Sequence, residues 1–232
     1  MDLLPGGTVH ATIDPAILYF GTPVVLVSSE NPDGTPNLAP MSSAWWLGRS
    51  CMLGFGARSH TPANILRTGQ CVLNLPSVEQ VAHVNRLART TGSDPVPPHK
   101  VAMGYRHERE KFGVAGLSPV ASTMVRPPRV AECPVQLEAV LEGSHALAQS
   151  DPDRRGNLIA LEVKVLRVHV HESMRMAGHS DRIDPDLWRP LIMNFCQFYG
   201  LGEKVHHSTL GEIPESAYRP KPKVSPPASA AA

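Results

Sequence analysis

Short apolar runs punctuated by turn-forming residues dominate the first third of the chain. Pro23-Val24-Val25-Leu26-Val27-Ser28 is continuous and β-rich, and Asn31-Pro32-Asp33-Gly34-Thr35-Pro36-Asn37 follows it with an Asp-Gly pair that favours a tight turn. The pattern predicts a second strand over Leu38–Leu47 and a third over Cys51–Ala57. So short a link makes the first pair antiparallel, because parallel neighbours need a long crossover. Ahead of them, Asp14-Pro15 reads as a helix entry, giving a short helix over Pro15–Phe20 that stops at Gly21.

The texture then changes. Thr61-Pro62-Ala63-Asn64-Ile65-Leu66-Arg67-Thr68-Gly69 reads as a helix with Thr61 as cap, Pro62 in the first position and Gly69 as stop. Cys71–Leu75 is a strand closed by Pro76. Ser77–Thr91 reads as a longer helix capped by Ser77, with Val78, Val81, Ala82, Asn85 and Ala88 on one face and Gly92 at its end. The Pro- and Gly-rich stretch 92–128 is expected to run over the surface. Two long strands follow. Val135, Leu137, Ala139 and Leu141 alternate with polar neighbours, as do Ile159, Leu161, Val163 and Val165; Val168 and Val170 continue after a one-residue phase shift that suggests a bulge. About six strands and two or three short helices, without a βαβ rhythm, predict a mostly β fold built as an antiparallel barrel.

Composition narrows the class. The 232 residues suit one domain, with 42% hydrophobic and 19% charged residues and a formal charge of +1. No basic run suggests nucleic acid or a membrane surface, and no stretch approaches the ~18 apolar residues of a membrane span. The first residues lack the basic and apolar regions of a secretory signal, so the expectation is a cytoplasmic protein. The four cysteines are far apart with no C-x-x-C, and three of them sit in apolar stretches as small buried hydrophobes would. We expect a single domain over 1–212, its carboxy-terminal extension at about 172–212, and a disordered Pro-rich tail over 213–232.

Candidate chemistry concentrates between Asn37 and Asn64. In Ala57-Arg58-Ser59-His60-Thr61-Pro62-Ala63-Asn64 a strand ends and a helix begins. The first turn of a helix offers unpaired N–H groups and partial positive charge, hydroxyls add donors, and arginine adds a fork that fits phosphate oxygens. An ordinary capped helix with a solvated Arg58 is the competing reading. In Asn37-Leu38-Ala39-Pro40-Met41-Ser42-Ser43, Pro40 removes a ladder donor, so the strand is expected to bulge or leave its sheet midway, freeing N–H groups for a flat heterocycle. Here the competing reading is a plain edge strand.

Taken together, PVVLVSS, the DGTPN turn, NLAPMSSAWW and GARSHTPANILRTGQCVLNLP resemble, in order and spacing, the flavin reductase-like FMN-binding split barrels, especially the flavoredoxin branch. The similarity covers roughly residues 17–170. It implies a homodimer of six-stranded antiparallel split β-barrels binding FMN at the subunit interface, with NADH or NADPH as hydride donor. It also implies that Ala39, Pro40, Met41, Ser42 and Ser43 lie along the isoalloxazine and ribityl chain, and that Arg58, Ser59, Thr61 and Asn64 hold the phosphate. The implied activity is an NAD(P)H-dependent FMN reductase, with a partner oxygenase as one recipient of reduced flavin. The alternatives are a flavoredoxin-like carrier that keeps FMN and exchanges electrons with an acceptor protein, and a split barrel turned to another ligand. Trp45-Trp46 and the extension RIDPDLWRPLIMNFCQFYGLGE depart from the simpler reductases, and either would cover the outer flavin face.

Other features carry less. His169 and His171 share one strand face, but no third metal ligand is placed by sequence, and His206-His207 read as solvated. Asp33, Glu79, Glu132 and Glu138 form no acid–base pair, and no G-x-S-x-G elbow occurs, so the cofactor is expected to carry the chemistry. Of Trp45 and Trp46, one is expected in the core and the other against flavin or a partner subunit.

Overall fold

The computed structural model describes residues 10–218, as one unit up to Leu201 and a second from Gly202 onward. In the first unit the main sheet contains β1 (Val25–Glu30), β2 (Pro36–Met41), β3 (Ala44–Leu47), β4 (Ser50–Gly56), β5 (Gln70–Leu75), β6 (Val135–Ala146) and β7 (Leu158–Val170). Its order is β2-β1-β5-β6-β7-β4-β3, all antiparallel. The two edge strands, β2 and β3, are consecutive in the chain and joined only by Ser42-Ser43, so the sheet must curl until its edges meet, as a split barrel does.

Seven strands replace the expected six because Leu38–Leu47 is not continuous. The chain leaves the β1 side after Met41 and rejoins on the β4 side at Ala44, which is the mid-strand departure that Pro40 foretold. The phase shift in the last long strand is also real: Glu138 faces Arg167 but Ala139 faces Val165, leaving Leu166 as the extra residue of a bulge.

Strand β1 explains its own unbroken apolar run. Val25 and Val27 enter the barrel core with Leu53, Ile65, Leu73, Leu137 and Leu161. Val24 and Leu26 belong to a second core with Leu38, Val84, Leu87, Phe112, Leu117 and Val130. A strand covered on both faces has no polar side to show. That second core corrects the reading of 92–128 as a surface excursion: its short helices α3 (Pro98–Ala102) and α4 (Lys111–Ala115) run with segments that bury Phe112, Ala115, Leu117 and Val125 against the sheet.

Two helix expectations change. Residues 15–20 are exposed and irregular, with no helix after Asp14-Pro15. Ser77 does cap a helix, through a capping box with Gln80, but the element is a 3-10 turn (Val78–Gln80) followed by α2 (Val81–Arg86) and ends before Thr90 and Thr91, which pair with Arg106 and His107. Its buried stripe is Val84 and Leu87 with half-buried Val81; Ala82, Asn85 and Ala88 face solvent. The phase was misjudged because the 3-10 turn shifts the later residues around the axis. In the second unit, Thr209–Glu212 and Glu215–Tyr218 form 3-10 turns, so the first residues of the expected tail have local structure; 219–232 lie outside the described residues.

Candidate functional site

The two sequence stretches meet along β4. A Cβ built on Gly54 would lie 3.0 Å from Ser43 Cβ, and one on Gly56 would lie 3.2 Å from Ser59 Oγ. Residues i and i+2 of a strand share a face about 7 Å apart. Strand β4 thus seats the break between β2 and β3 against its Gly54 and the entry to α1 (His60–Thr68) against its Gly56; a side chain at Gly54 would press on Ser43 Cβ, and one at Gly56 would push the Ser59 hydroxyl aside.

At the α1 entry the donors are free. Ser59, not Thr61, precedes the helix with extended backbone, and its hydroxyl makes no capping bond. The Ser59 N–H bonds Gly56 O (2.9 Å), the Ala63 N–H bonds Ser59 O (3.4 Å), and Pro62 has none. The His60 and Thr61 amides are left without a backbone acceptor among the described residues. The Arg58 guanidinium is exposed and makes no hydrogen bond or ion pair among the described residues. Arg58 and Ser59 line a cavity of about 380 Å³ with Gly56, His99 and Asn157. Two open amides, a free hydroxyl and an unpaired guanidinium fit a phosphate monoester.

Thr61 and Asn64 lie elsewhere in the helix, buried and turned to a polar network under α1. Asn37 Nδ2 donates to Thr61 Oγ1 and to Ser29 Oγ, both at 3.2 Å. Asn64 Nδ2 donates to Ser29 Oγ (3.2 Å) and Asn31 Oδ1 (3.0 Å), and His60 Nε2 lies 2.7 Å from the same Asn31 oxygen. Asn64 therefore fixes the helix to the β1–β2 turn, and Thr61 is an interior contact that keeps one hydroxyl hydrogen without an acceptor among the described residues. The expected capping role of Thr61 is corrected: it lies one residue inside the helix, in the first turn.

At the strand break, Ala39, Pro40 and Met41 are half-buried at the end of β2, Ser42 is buried and Ser43 half-buried. Strand β2 pairs only with β1, so its other edge is open. Ser43 O accepts from Gly54 N–H (2.8 Å), while the Ser42 and Ser43 amides have no backbone acceptor among the described residues. This is the set of free donors that a flat heterocycle with carbonyls and ring nitrogens needs. Next to them Trp46 turns inward onto the barrel core with its indole Nε1 buried and without a partner among the described residues, whereas Trp45 is 58% exposed.

Sequence reasoning missed His60, His99, Asn157 and Lys111. His60 sat unread within the R-x-S-x-T stretch; burial first, then the Lys111 charge, lowers its pKa. Lys111 starts α4 and is 2% exposed; burial drives its pKa down to about 8, helped by Lys100 and Arg106 and opposed by Glu108. Nothing in the local sequence marks it, because α4 is too short to show a periodicity. His169 and His171 bond Glu138 and Ser173 respectively, and no group of three or more metal-ligating side chains gathers among the described residues. Cys51, Cys71 and Cys133 are buried free thiols; burial pushes Cys51 and Cys71 up to about 12.

The family described as "flavin reductase like domain" matches residues 17–199. The uncharacterized protein YdfE of Bacillus subtilis (strain 168) is 37% identical over 193 residues, covering 83% of this chain and 90% of that one. Among solved structures, the flavoredoxin of Desulfovibrio vulgaris (Miyazaki F) superposes with a TM-score of 0.69 at 20% identity, over 88% of this chain and 100% of that one. Nitrilotriacetate monooxygenase component B from Bacillus cereus gives 0.67 at 22%, over 86% and 100%. At these identities the two structures speak for the fold, a split barrel.

Proposed function

The chain belongs to the flavin reductase-like family, and we propose that it is an FMN-binding oxidoreductase passing hydride from NADH or NADPH to the flavin. The observation that carries this reading is the double seat on β4, where Gly54 and Gly56 bring the free amides of Ser42 and Ser43 into line with the open first turn of α1. A flavin mononucleotide is this kind of ligand, a flat hydrogen-bonding ring at one end and a phosphate at the other.

Bound flavin would supply the hydride chemistry, and the protein would bind, orient and tune it. Arg58, Ser59 and the His60 and Thr61 amides would grip the phosphate; Thr61 and Asn64 would hold the helix entry from below. Ala39, Pro40 and Met41 would back the ring, and the Ser42 and Ser43 N–H groups would donate to its edge. No side chain need act as acid or base.

The reading extends to a cytoplasmic homodimer. Phe20 and Phe195 stack edge to face at 4.8 Å, and Trp45 and Tyr199 are exposed, aromatic anchors of the type that interfaces favour. Given the fold shared with a monooxygenase component, a partner oxygenase would be the consumer of reduced flavin.

Titration with FMN and riboflavin, followed by NADH and NADPH oxidation with added FMN, tests this reading. We expect about one FMN per chain, riboflavin bound much more weakly, and flavin-dependent nucleotide oxidation. Failure to bind either flavin would overturn it, and FMN binding without turnover would convert the enzyme into an electron carrier. Light scattering that reports a 25.1 kDa monomer at micromolar concentration would remove the dimer.

A further inference from the structure

A second cavity, of about 280 Å³, shares no lining residue with the one at Arg58 and Ser59, yet it adjoins the same helix entry through His60. Asn31, Asp33 and Asn37, from the β1–β2 turn and the start of β2, line it together with Asp94, His107 and Glu108. Two contacts hold these remote segments together. Arg109 bonds Asp33 at 2.5 Å, and Thr90 and Thr91 pair with Arg106 and His107.

The lining residues offer acceptors and lack donors. Asn37 is 2% exposed; its Nδ2 donates to Ser29 and Thr61, while its Oδ1 accepts nothing among the described residues. Asn31 Oδ1 already accepts from Asn64, so His60 Nε2 also donates to it, and the neutral ring keeps Nδ1 as an acceptor. Glu108 accepts the Glu110 N–H on Oε1 and nothing on Oε2, and Asp94 makes no hydrogen bond or ion pair, both among the described residues. Arg109 is the only lysine or arginine among the described lining residues, and Asp33 already engages it. A buried carboxamide oxygen without a donor is costly, so the chemistry missing from this cavity is a ligand's hydroxyl and amino groups. A phosphate would add only more acceptors.

We propose that this cavity holds the adenosine half of the hydride donor and selects NADH over NADPH. A ribose diol and an adenine amino group supply the missing donors, and a carboxylate is the natural partner of such a diol. The 2′-phosphate of NADPH would instead meet Asp94 and Glu108 with no uncommitted arginine to receive it. The position suits a dinucleotide. Asn37 lies on the strand whose Ala39, Pro40 and Met41 would back the flavin ring, and Asn37 to Met41 spans about 13 Å. A donor lying along β2 would thus have its nicotinamide at the ring and its adenosine in the cavity. The proposal rests on the flavin reading for the identity of the donor, and on the acceptor-rich cavity for the site.

The test measures kcat/KM with saturating FMN for three donors: NADH, NADPH and reduced nicotinamide mononucleotide, which has no adenosine. It uses the full chain as wild type, Asp94→Asn, Glu108→Gln and Glu108→Lys. Wild type should prefer NADH to NADPH by roughly tenfold or more. Asp94→Asn and Glu108→Gln should each weaken NADH severalfold, mainly through KM, and leave the mononucleotide within twofold. Glu108→Lys should shift the NADH-to-NADPH ratio at least tenfold toward NADPH. Equal use of the two dinucleotides by wild type, a preference for NADPH, or equal losses for NADH and the mononucleotide would overturn the proposal and leave the flavin reading standing. If wild type binds no flavin or oxidises no nucleotide, the reductase reading falls, and titration with ADP-ribose then decides the cavity. Binding that Glu108→Lys weakens tenfold keeps the site, and no binding removes it. Should Glu108→Lys lower the melting temperature, Asp94→Arg, at an exposed position, carries the same comparison.

Discussion

His169 Nε2 lies 2.6 Å from Oε1 of Glu138, a carboxylate with no exposed surface, across the diagonal of the two longest strands. The same carboxylate accepts the backbone N–H groups of Thr123 and Met124 and the Thr123 hydroxyl, so it ties the 118–130 segment down onto the sheet. Burial alone would raise its pKa, but these bonds outweigh it and bring the group down to about 2.

Stability therefore depends on this group at acid pH. A carboxyl with a depressed folded pKa stabilises fully above its unfolded value, 4.5, and loses that contribution as pH falls through about 2. A shift of this size corresponds to on the order of 3 kcal/mol. Between pH 4.5 and 2 the melting temperature of wild type should fall more steeply than that of Glu138→Gln. At neutral pH the variant should be less stable by roughly 3 kcal/mol, because an NH2 replaces one of the two accepting oxygens, so that either the Met124 N–H or the Thr123 hydroxyl and His169 lose their partner, and the charge is gone. Parallel pH profiles would remove Glu138 from the account.

Gly92 and His60 form a second dependent pair. A Cβ on Gly92 would lie 2.4 Å from His60 Cδ2, so an alanine there must displace the ring and break its 2.7 Å bond to Asn31. We expect Gly92→Ala to cost about 1–3 kcal/mol, the range for overpacking a filled site. In the double variant with His60→Ala the two effects should be non-additive, since removing the ring removes the clash. Additive losses in denaturant melts would place the Gly92 effect elsewhere.

Much of the architecture was legible because it follows from local rules. The Asp33-Gly34 turn, the alternation in Val135–Leu141 and the phase shift near Leu166 each reappear as a hairpin, a two-faced strand and a bulge. Pro40 announced the break that makes seven strands from six. What was not legible depends on contacts remote in sequence. Asn64 was placed on the phosphate by the family resemblance alone, and nothing in the local sequence shows that its side chain bonds Ser29 and Asn31 beneath the helix. The clue to the β4 seat was present in Cys51-Met52-Leu53-Gly54-Phe55-Gly56, where two glycines at strand period mark a face that another backbone approaches. Lys111 gave no such sign, for a lysine in a five-residue helix reads as solvated until the fold buries it.

Thr61 separates interior packing from ligand binding. Thr61→Val keeps the shape but leaves Asn37 Nδ2 with Ser29 alone and removes the free hydroxyl hydrogen. The flavin-free protein should lose about 1 kcal/mol, the net worth of one hydrogen bond. FMN affinity should fall by more than riboflavin affinity if the hydroxyl also reaches the phosphate. A stability loss with both affinities unchanged would confine Thr61 to the network beneath the helix.

Arg58 gives the cleanest contrast, because its guanidinium is exposed and unpaired among the described residues. An exposed arginine with no partner adds almost nothing to folding, so Arg58→Ala should leave the flavin-free melting temperature within error. A charge-assisted fork on phosphate is worth about 1.5–3 kcal/mol, which predicts a loss of FMN affinity of roughly tenfold or more. Riboflavin has no phosphate to lose and should barely respond. Gly56→Val makes the complementary change: its added methyls would press on Ser59 Oγ, where a Cβ alone already lies at 3.2 Å, and disturb the helix entry without touching a charge. That variant should weaken FMN and also lower the melting temperature. Titrating both flavins into both variants therefore yields two distinct patterns, loss of FMN alone for Arg58 and loss of FMN with stability for Gly56. Equal weakening of FMN and riboflavin by Arg58→Ala would mean that Arg58 shapes the pocket without gripping the phosphate, and its assignment would be withdrawn.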